Sequence, residues 1–312
     1  MDVFESISSF SPPNEGLAIF IGKADALHLG HIALINETLK LADELNTASG
    51  ILSLIPDSDN PISDMESHRM VLTEDERREF LSNWPVTYLV YQKMTRDFTD
   101  FSAEKFVTEV LHDKMKVRGI VVGWDFRFGW ERKGDADLLE KMAGELGFHV
   151  RIIEPVMLDG QPIKTSRIRE IIEAGEFREA QRFLGYPFFV SGIVAPGKGL
   201  GHKIGFPTAN IQIPPEKLLP RRGVYIARGL FDNSCYWGLA NVGIRPTLED
   251  KGELLVEIWL KDFDGDLVGK KIKVEFFRFL RDEIKFGSLE KLTEQMEKDK
   301  KSLYDFLSEA RK

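Results

Sequence analysis

The first half of the chain alternates short apolar runs with longer amphipathic stretches. Residues 17–22 (Leu-Ala-Ile-Phe-Ile-Gly) are an unbroken apolar run, which predicts a buried strand. Ile32, Ile35, Leu39, Ala42 and Leu45 recur at helical spacing and predict a helix with one buried face. Residues 49–55 and 86–91 read as further strands. Between them a helix starts at a Thr73/Glu76 capping box and runs through Leu81. A helix over 103–115 and a strand over 119–123 follow. Asp135 then caps a helix with Leu138, Leu139, Met142 and Leu146 turned inward, and 150–153 is the last strand. Strands alternating with helices predict a parallel sheet covered on both faces, with ligands at the carboxyl ends of its strands.

Residues 175–185 predict a short helix that ends at a Gly185 C-cap, and Tyr186-Pro187 breaks the helical period. The pattern then changes. Strands over 188–194, 223–231, 235–242, 254–260 and 271–280 are separated by turns rich in Gly, Asp and Asn. They predict a small closed antiparallel barrel. A last helix over 288–310 offers Leu289, Leu292, Met296, Leu303 and Leu307 for burial. The expected organisation is an α/β domain over 1–185 and a β domain with a terminal helix over 186–312. There is no internal repeat or low-complexity segment.

The 312 residues suit two domains, and 43% hydrophobic content fills two ordinary cores. A formal charge of -8, from 42 basic and 50 acidic residues, argues against a nucleic-acid binder, which needs a basic surface. Cys235 is the only cysteine, so an intrachain disulfide or a cysteine-rich metal site is excluded. The N-terminus has no basic stretch before an apolar one, and no apolar run approaches the ~20 residues that span a membrane. The expectation is a cytoplasmic protein acting on small molecules, without a membrane partner.

Candidate chemistry is densest at 201–210, Gly-His-Lys-Ile-Gly-Phe-Pro-Thr-Ala-Asn. Gly201 and Gly205 free the backbone, and Pro207 fixes φ. In an extended segment Thr208 and Asn210 point to one side, so their oxygens can share one hard cation. Magnesium takes few protein oxygens and completes its shell with phosphates and water. Gly197-Lys198-Gly199 adds a flexible, positively charged turn. This combination suits a nucleoside triphosphate with its metal. A tight turn whose Thr and Asn satisfy local backbone groups is the competing reading. The run G-F-P-T-A-N at 205–210 resembles the signature of the riboflavin kinases. That resemblance implies nucleotide contacts from Gly197, Lys203, Gly205, Thr208 and Asn210, with magnesium at Thr208 and Asn210. The family's Gly loop often carries arginines where this chain has Leu200 and His202; Lys198 and Lys203 are the charges present.

Glu257 interrupts an apolar strand and shares a face with Leu255 and Trp259. A solvated charge is the ordinary reading there, but two large apolar neighbours fit it poorly. Apolar neighbours can tune a carboxylate to accept a hydroxyl proton, and the resemblance makes Glu257 the catalytic base. Gly223-Val224-Tyr225 and N-V-G-I-R-P-T at 241–247 are either turn chemistry or further matches to the same pattern. Residues 262–267 read as a hairpin turn, since a calcium loop needs a Glu at its twelfth position. Residues 281–286 resemble the family's R-x-E-x-x-F, which implies that Arg281 and Phe286 border a flavin; a salt-bridged approach to the helix is the alternative.

In the first half, His28-Leu29-Gly30-His31 follows the first predicted strand. At a helix start the two histidines lie one turn apart and face a phosphate together with free helix N–H groups. Gly30 permits close backbone approach. Histidines that only cap or pack are the alternative, and a metal lacks a third ligand at a recognisable spacing. The pattern resembles the nucleotidyltransferase superfamily, which implies catalytic His28 and His31 and nucleotide contacts at Gly22, Asp25 and Gly30. G-W-D-F-R-F-G at 123–129, with a later Gly134-Asp135, is similar to the FMN adenylyltransferase module of bacterial FAD synthetases. It implies flavin contacts from Asp125 and Arg127, and a nucleotide contact from Asp125. At 163–169 Ser166 reads as an N-cap, with Ile168, Ile171 and Ile172 as the apolar face. The segment resembles the family's I-S-S-T-x-I-R, implying phosphate contacts from Thr165, Ser166 and Arg169, with Lys164 in place of the first Ser. Two departures stand out: Ala24 replaces an aromatic residue and Ala26 a glycine, and alanine is strained wherever φ > 0 is required.

The matches run in family order from Leu17 to Asp299, so the chain is identified as a member of the bacterial bifunctional riboflavin kinase/FMN adenylyltransferase family. The resemblance implies a nucleotidyltransferase-like sheet domain and a riboflavin-kinase-like barrel. It implies riboflavin, FMN and ATP as substrates, magnesium, and FAD as product. The competing readings are a riboflavin kinase with a structural N-terminal domain, motivated by Ala24, Ala26 and Lys164, and a non-catalytic flavin- or nucleotide-binding protein.

Overall fold

The computed structural model describes residues 1–57, 69–197, 201, 204–245 and 253–309. Packing divides the chain into two compact units, Met1–Met70 with Glu74–Thr165, and Val71–Thr73 with Ser166–Lys312.

The first unit contains β1 (Asp2–Phe4), β2 (Leu17–Gly22), α1 (Leu29–Leu45), β3 (Ala48–Ile55), α2 (Glu74–Leu81), β4 (Tyr88–Lys93) and the short α3 (Arg96–Thr99). α4 (Ala103–Lys105) runs on as a π-helical stretch through Lys114, followed by β5 (Val117–Gly123), α5 (Ala136–Leu146) and β6 (His149–Ile153). The two-stranded hairpin of β7 (Met157–Leu158) and β8 (Gln161–Pro162) ends the unit. The main sheet has the order β1-β4-β3-β2-β5-β6 and is parallel throughout. Alternation along β2 decides its two faces. Leu17, Ile19 and Ile21 join the core with Val107, Leu111 and Leu139, while Ala18 packs with Leu41 and Ala42 of α1 and Val121 of β5. The predicted strands and helices are present, with ends moved by a residue or two. The edge strand β1 and the β7–β8 hairpin are too short to carry a periodic signal. The Asp135 cap is present, with Oδ1 accepting from Leu138 N–H at 3.0 Å.

The second unit contains α6 (Thr165–Ala174, whose first residue closes the first unit), α7 (Phe177–Leu184), β9 (Phe189–Ala195), β10 (Thr208–Gln212), β11 (Gly223–Phe231), β12 (Ser234–Arg245), β13 (Glu253–Leu260), β14 (Lys271–Arg281) and α8 (Leu289–Glu309). α7 ends as expected at Gly185, with φ 84°. Ser166 is not the cap of α6: the helix already includes Thr165, so Ser166 stands in its first turn. The six strands close into a barrel, β10-β13-β12-β11-β14-β9. The apolar pattern assigns no strand to β10, yet it closes the barrel between β9 and β13. Gly229 of β11 approaches Ile258 and Leu260 of β13 and Ile272 of β14 across the interior. Trp259, between those β13 residues in sequence, faces outward into a cluster with Phe206, Ile226, Leu239 and Leu303 of α8. Leu289, expected inside, is exposed, whereas Asp299 is buried.

Residues 262–267 do not make a hairpin. β13 and β14 are not neighbours, so the connection crosses the barrel mouth.

Candidate active sites

In the first unit the strand order reverses direction beside β2. The chain winds outward through β3 and β4, then returns to place β5 on the other side of β2. Ligands of such sheets bind at this switch point, beyond the carboxyl ends of the strands. The loops after β2 and β5, which carry the two motifs, both leave from it.

His28 is the N-cap of α1. Its Nδ1 accepts from Gly30 N–H at 3.1 Å and His31 N–H at 3.3 Å. The two imidazoles stack at 3.8 Å between centroids. A side chain on Gly30 would come within 3.0 Å of the His28 ring, so glycine keeps the stack closed. These caps correct the expectation of free helix N–H groups: those of Gly30 and His31 already belong to the His28 ring. An Nδ1 that accepts leaves the neutral ring's proton on Nε2, a fixed tautomer with one donor to offer. His31 Nδ1 is shielded and has no hydrogen-bond partner among the described residues. Burial lowers the His28 pKa to about 4. Burial, then the charge of His28, then that of Arg77 hold His31 well below the ordinary histidine value.

Stability should therefore fall on acidification. From pH 6.5 down to about 4 the unfolded chain takes up a proton that folded His28 refuses. That costs up to about 1.4 kcal/mol per pH unit for one such group. His28→Asn, which keeps a capping acceptor, should remove this share. In thermal unfolding at pH 7.5 and 5.5, wild type should lose more Tm than the variant. Equal losses would refute the assignment.

Gly22 ends β2 beneath the Phe20 ring, and Asp25 is 9% exposed within the loop. Ala26 is buried but is not at positive φ, so the glycine it replaces is not required there by backbone conformation. The left-handed residues are Ala24 (φ 46°) and Leu27 (φ 42°), each costing about 1–2 kcal/mol relative to ordinary backbone. After β5, Asp125 is exposed at the switch point. Phe126 and Phe128 stack at 5.3 Å, and Phe128 bridges to Gly134. Arg127 pairs at 2.8 Å with Asp135, the α5 cap, so a flavin phosphate would have to compete with that carboxylate. Thr165, Ser166 and Arg169 lie along the start of α6.

In the second unit the barrel register assembles a row that the linear sequence does not display. Asn210 of β10 pairs with Glu257 of β13, and Glu257 pairs with Asn241 of β12. Register partners share a face, so the carboxylate lies between two amides. The adjacent row, Thr208–Trp259–Leu239, is largely apolar and leads under α8. The expected company of Glu257 with Trp259 is thus present, and Glu257 is half-buried. Thr208 and Asn210 are half-buried on one face of β10. A side chain at Gly197 would collide with Asn210 Nδ2, so Gly197 lies against that amide. Gly205 takes φ 77° before Pro207. Lys203, like Lys198, Leu200, His202, Pro246 and Thr247, lies outside the described residues. A cavity of about 360 Å³ opens beside Thr208, lined by Gly197, Pro207, Leu260 and the 263–268 crossing segment.

Among the described residues no cluster of three His, Cys, Asp or Glu could hold a metal. The Thr208 and Asn210 oxygens fit the other mode, in which magnesium takes few protein ligands and mostly phosphate oxygens.

Asn241 carries only a turn-or-motif ambiguity in the sequence, and its place beside Glu257 comes from the register. Its Nδ2 donates to Glu283 Oε1 at 3.3 Å. Arg281 is held rather than free. Its Nε and Nη2 grip Asp299 at 2.7–3.1 Å, Gln295 supports Asp299 at 2.8 Å, and the guanidinium lies 5.9 Å from the Phe286 ring. The geometry brings Arg281 and Phe286 together, but Arg281 anchors α8 to β14.

Comparison with known proteins matches two stretches of the chain to two families. A family described as FAD synthetase matches residues 11–167, and one described as riboflavin kinase matches residues 184–307. The bifunctional riboflavin kinase/FMN adenylyltransferase of Pseudomonas fluorescens is 32% identical over 292 residues, 94% of this chain and 93% of its own. That of Buchnera aphidicola is 30% identical over 303 residues, 96% of each chain. A crystal structure from Streptococcus pneumoniae, described as a macrolide-efflux protein, superposes with TM-score 0.84 at 26% identity, covering 97% of this chain and 98% of that one. Among the described residues here, no helix is long and apolar enough to cross a membrane.

Proposed function

The chain belongs to the bifunctional riboflavin kinase/FMN adenylyltransferase family, and on that premise we propose which of its residues carry the two reactions. It is an enzyme that phosphorylates riboflavin to FMN and adenylylates FMN to FAD, with ATP as co-substrate. The functional division falls near residue 185, although α6 and α7 pack with the barrel.

In the kinase, Glu257 accepts the proton of the ribityl 5′-hydroxyl. That oxygen attacks the γ-phosphorus of ATP in line, and ADP leaves. Asn210 and Asn241 flank the carboxylate in the strand register. The triphosphate lies along Thr208 and Asn210, next to Gly197. Thr208 and Asn210 would hold magnesium, which would supply neutralisation of the phosphate charge. The isoalloxazine lies by Phe286, with Arg281 fixing that border through Asp299.

In the adenylyltransferase, an FMN phosphate oxygen attacks the α-phosphorus of ATP and pyrophosphate leaves. The His28 Nε2–H donates to the charge that develops, beside His31 and the Gly22, Asp25 and Gly30 backbone. Thr165 holds phosphate oxygens, while Asp125 and Arg127 face the flavin. The reactions are cytoplasmic.

The observation that carries the reading is the Asn210–Glu257–Asn241 row, with Thr208 in the neighbouring row of the same face. Separation of flavins after incubation with riboflavin, ATP and magnesium tests it, with a parallel run from FMN. FMN followed by FAD is expected in the first run, and FAD in the second. Riboflavin left unconverted would refute the kinase site, and FMN left unconverted the adenylyltransferase site.

A further inference from the structure

Arg77 of α2 is only 1% exposed, one of the large side chains fully buried among the described residues. A guanidinium keeps its charge at any physiological pH, and burying it is unfavourable unless hydrogen bonds compensate. Nη1 donates to Ser53 Oγ at 2.6 Å and lies 3.4 Å from the Lys23 carbonyl oxygen, which Ser53 Oγ also approaches at 3.5 Å. The guanidinium lies 5.7 Å from the centre of the Tyr91 ring, and the Tyr91 hydroxyl donates to the Glu74 carbonyl at the start of α2. These partners form one row: Gly22 pairs with Ser53, and Ser53 with Tyr91, at the carboxyl ends of β2, β3 and β4. Lys23 is the first residue beyond β2, and Ala24 follows in the left-handed region. The carbonyl that Arg77 and Ser53 share is therefore where the loop to His28 and His31 turns off the sheet.

The geometry points to Arg77 as a positioning residue for adenylyl transfer: through Ser53 and the Lys23 carbonyl it sets the path of the 22–31 loop and supports the ATP phosphates with a permanent buried charge. This rests on the reading of that loop as the phosphate seat. Arg77 acts through the loop, and no motif of the chain singles it out. Its charge also reaches His31, where it helps to keep the ring neutral.

The test compares Arg77→Met, Ser53→Ala and His28→Asn in the full-length protein. ATP dependence is measured for FAD formation from FMN and, as an internal control, for riboflavin phosphorylation. Loss of a charge-assisted hydrogen bond to the loop should raise KM for ATP in adenylylation about tenfold or more for Arg77→Met. Ser53→Ala should move it the same way by a smaller factor. In both, kcat should change less than KM, and the kinase KM for ATP should stay at the wild-type value. A residue that only supports folding would lower the active fraction, and so kcat, without moving KM. If Arg77→Met does not fold, the near-isosteric Ser53→Ala decides alone. Unchanged adenylylation KM in the folded variants, alongside a defective His28→Asn, would overturn the role of Arg77. Wild-type behaviour in all three would overturn the phosphate-loop reading as well.

Discussion

Replacing Glu257 with glutamine should lower riboflavin phosphorylation by about 100- to 10,000-fold, the range that a positioned general base contributes. The shape and hydrogen-bonding reach of the side chain survive the change, and only its capacity to take a proton is lost. The register places this residue between Asn210 and Asn241 on a half-buried face, and glutamine fits the same place. Binding should therefore change little and kcat should take the loss. FAD formation from supplied FMN uses the other unit and should be untouched. The measurement is the rate of FMN appearance at saturating ATP in one assay and of FAD from FMN in another. A Glu257→Gln protein with near wild-type kinase turnover would remove Glu257 from the mechanism.

His28→Asn should lower FAD formation from FMN by about 100- to 1000-fold, as expected for one lost donor to developing phosphoryl charge. Asparagine is a good N-cap, so its oxygen can replace Nδ1 toward Gly30 and His31. What it cannot replace is the Nε2–H donor. The substitution thus separates the two jobs of one ring: capping is retained and donation is lost. Riboflavin phosphorylation by the same preparation should be unchanged, which controls for folding and concentration. If the variant makes FAD at the wild-type rate, His28 is only a cap, and the capping-or-packing alternative for it is correct.

The elements legible in the chain are those whose cause is local. The 17–22 run, the Asp135 cap and the Gly185 C-cap depend on residues a few positions apart, and each stands where expected. The motifs G-F-P-T-A-N and H-L-G-H are local too, so the resemblance they carry needs no coordinates. The remaining features depend on which strands become neighbours, which no period of 2 or 3.6 encodes. β10 is a strand because β9 and β13 offer it partners on both sides. The 262–267 turn crosses the barrel mouth because β14 pairs with β9 and β11 instead of β13. Asn241 meets Glu257 through cross-strand register alone. Arg77 shows the same principle in the first unit: it reads as an ordinary charge on a polar helix, and tertiary packing buries it beside Ser53 and Tyr91. Ala26 is the converse case. The family's glycine suggests strain there, and the fold places the left-handed residues at Ala24 and Leu27 instead. Local chemistry thus specified the elements and their caps, while strand neighbours and burial decided which side chains share a site.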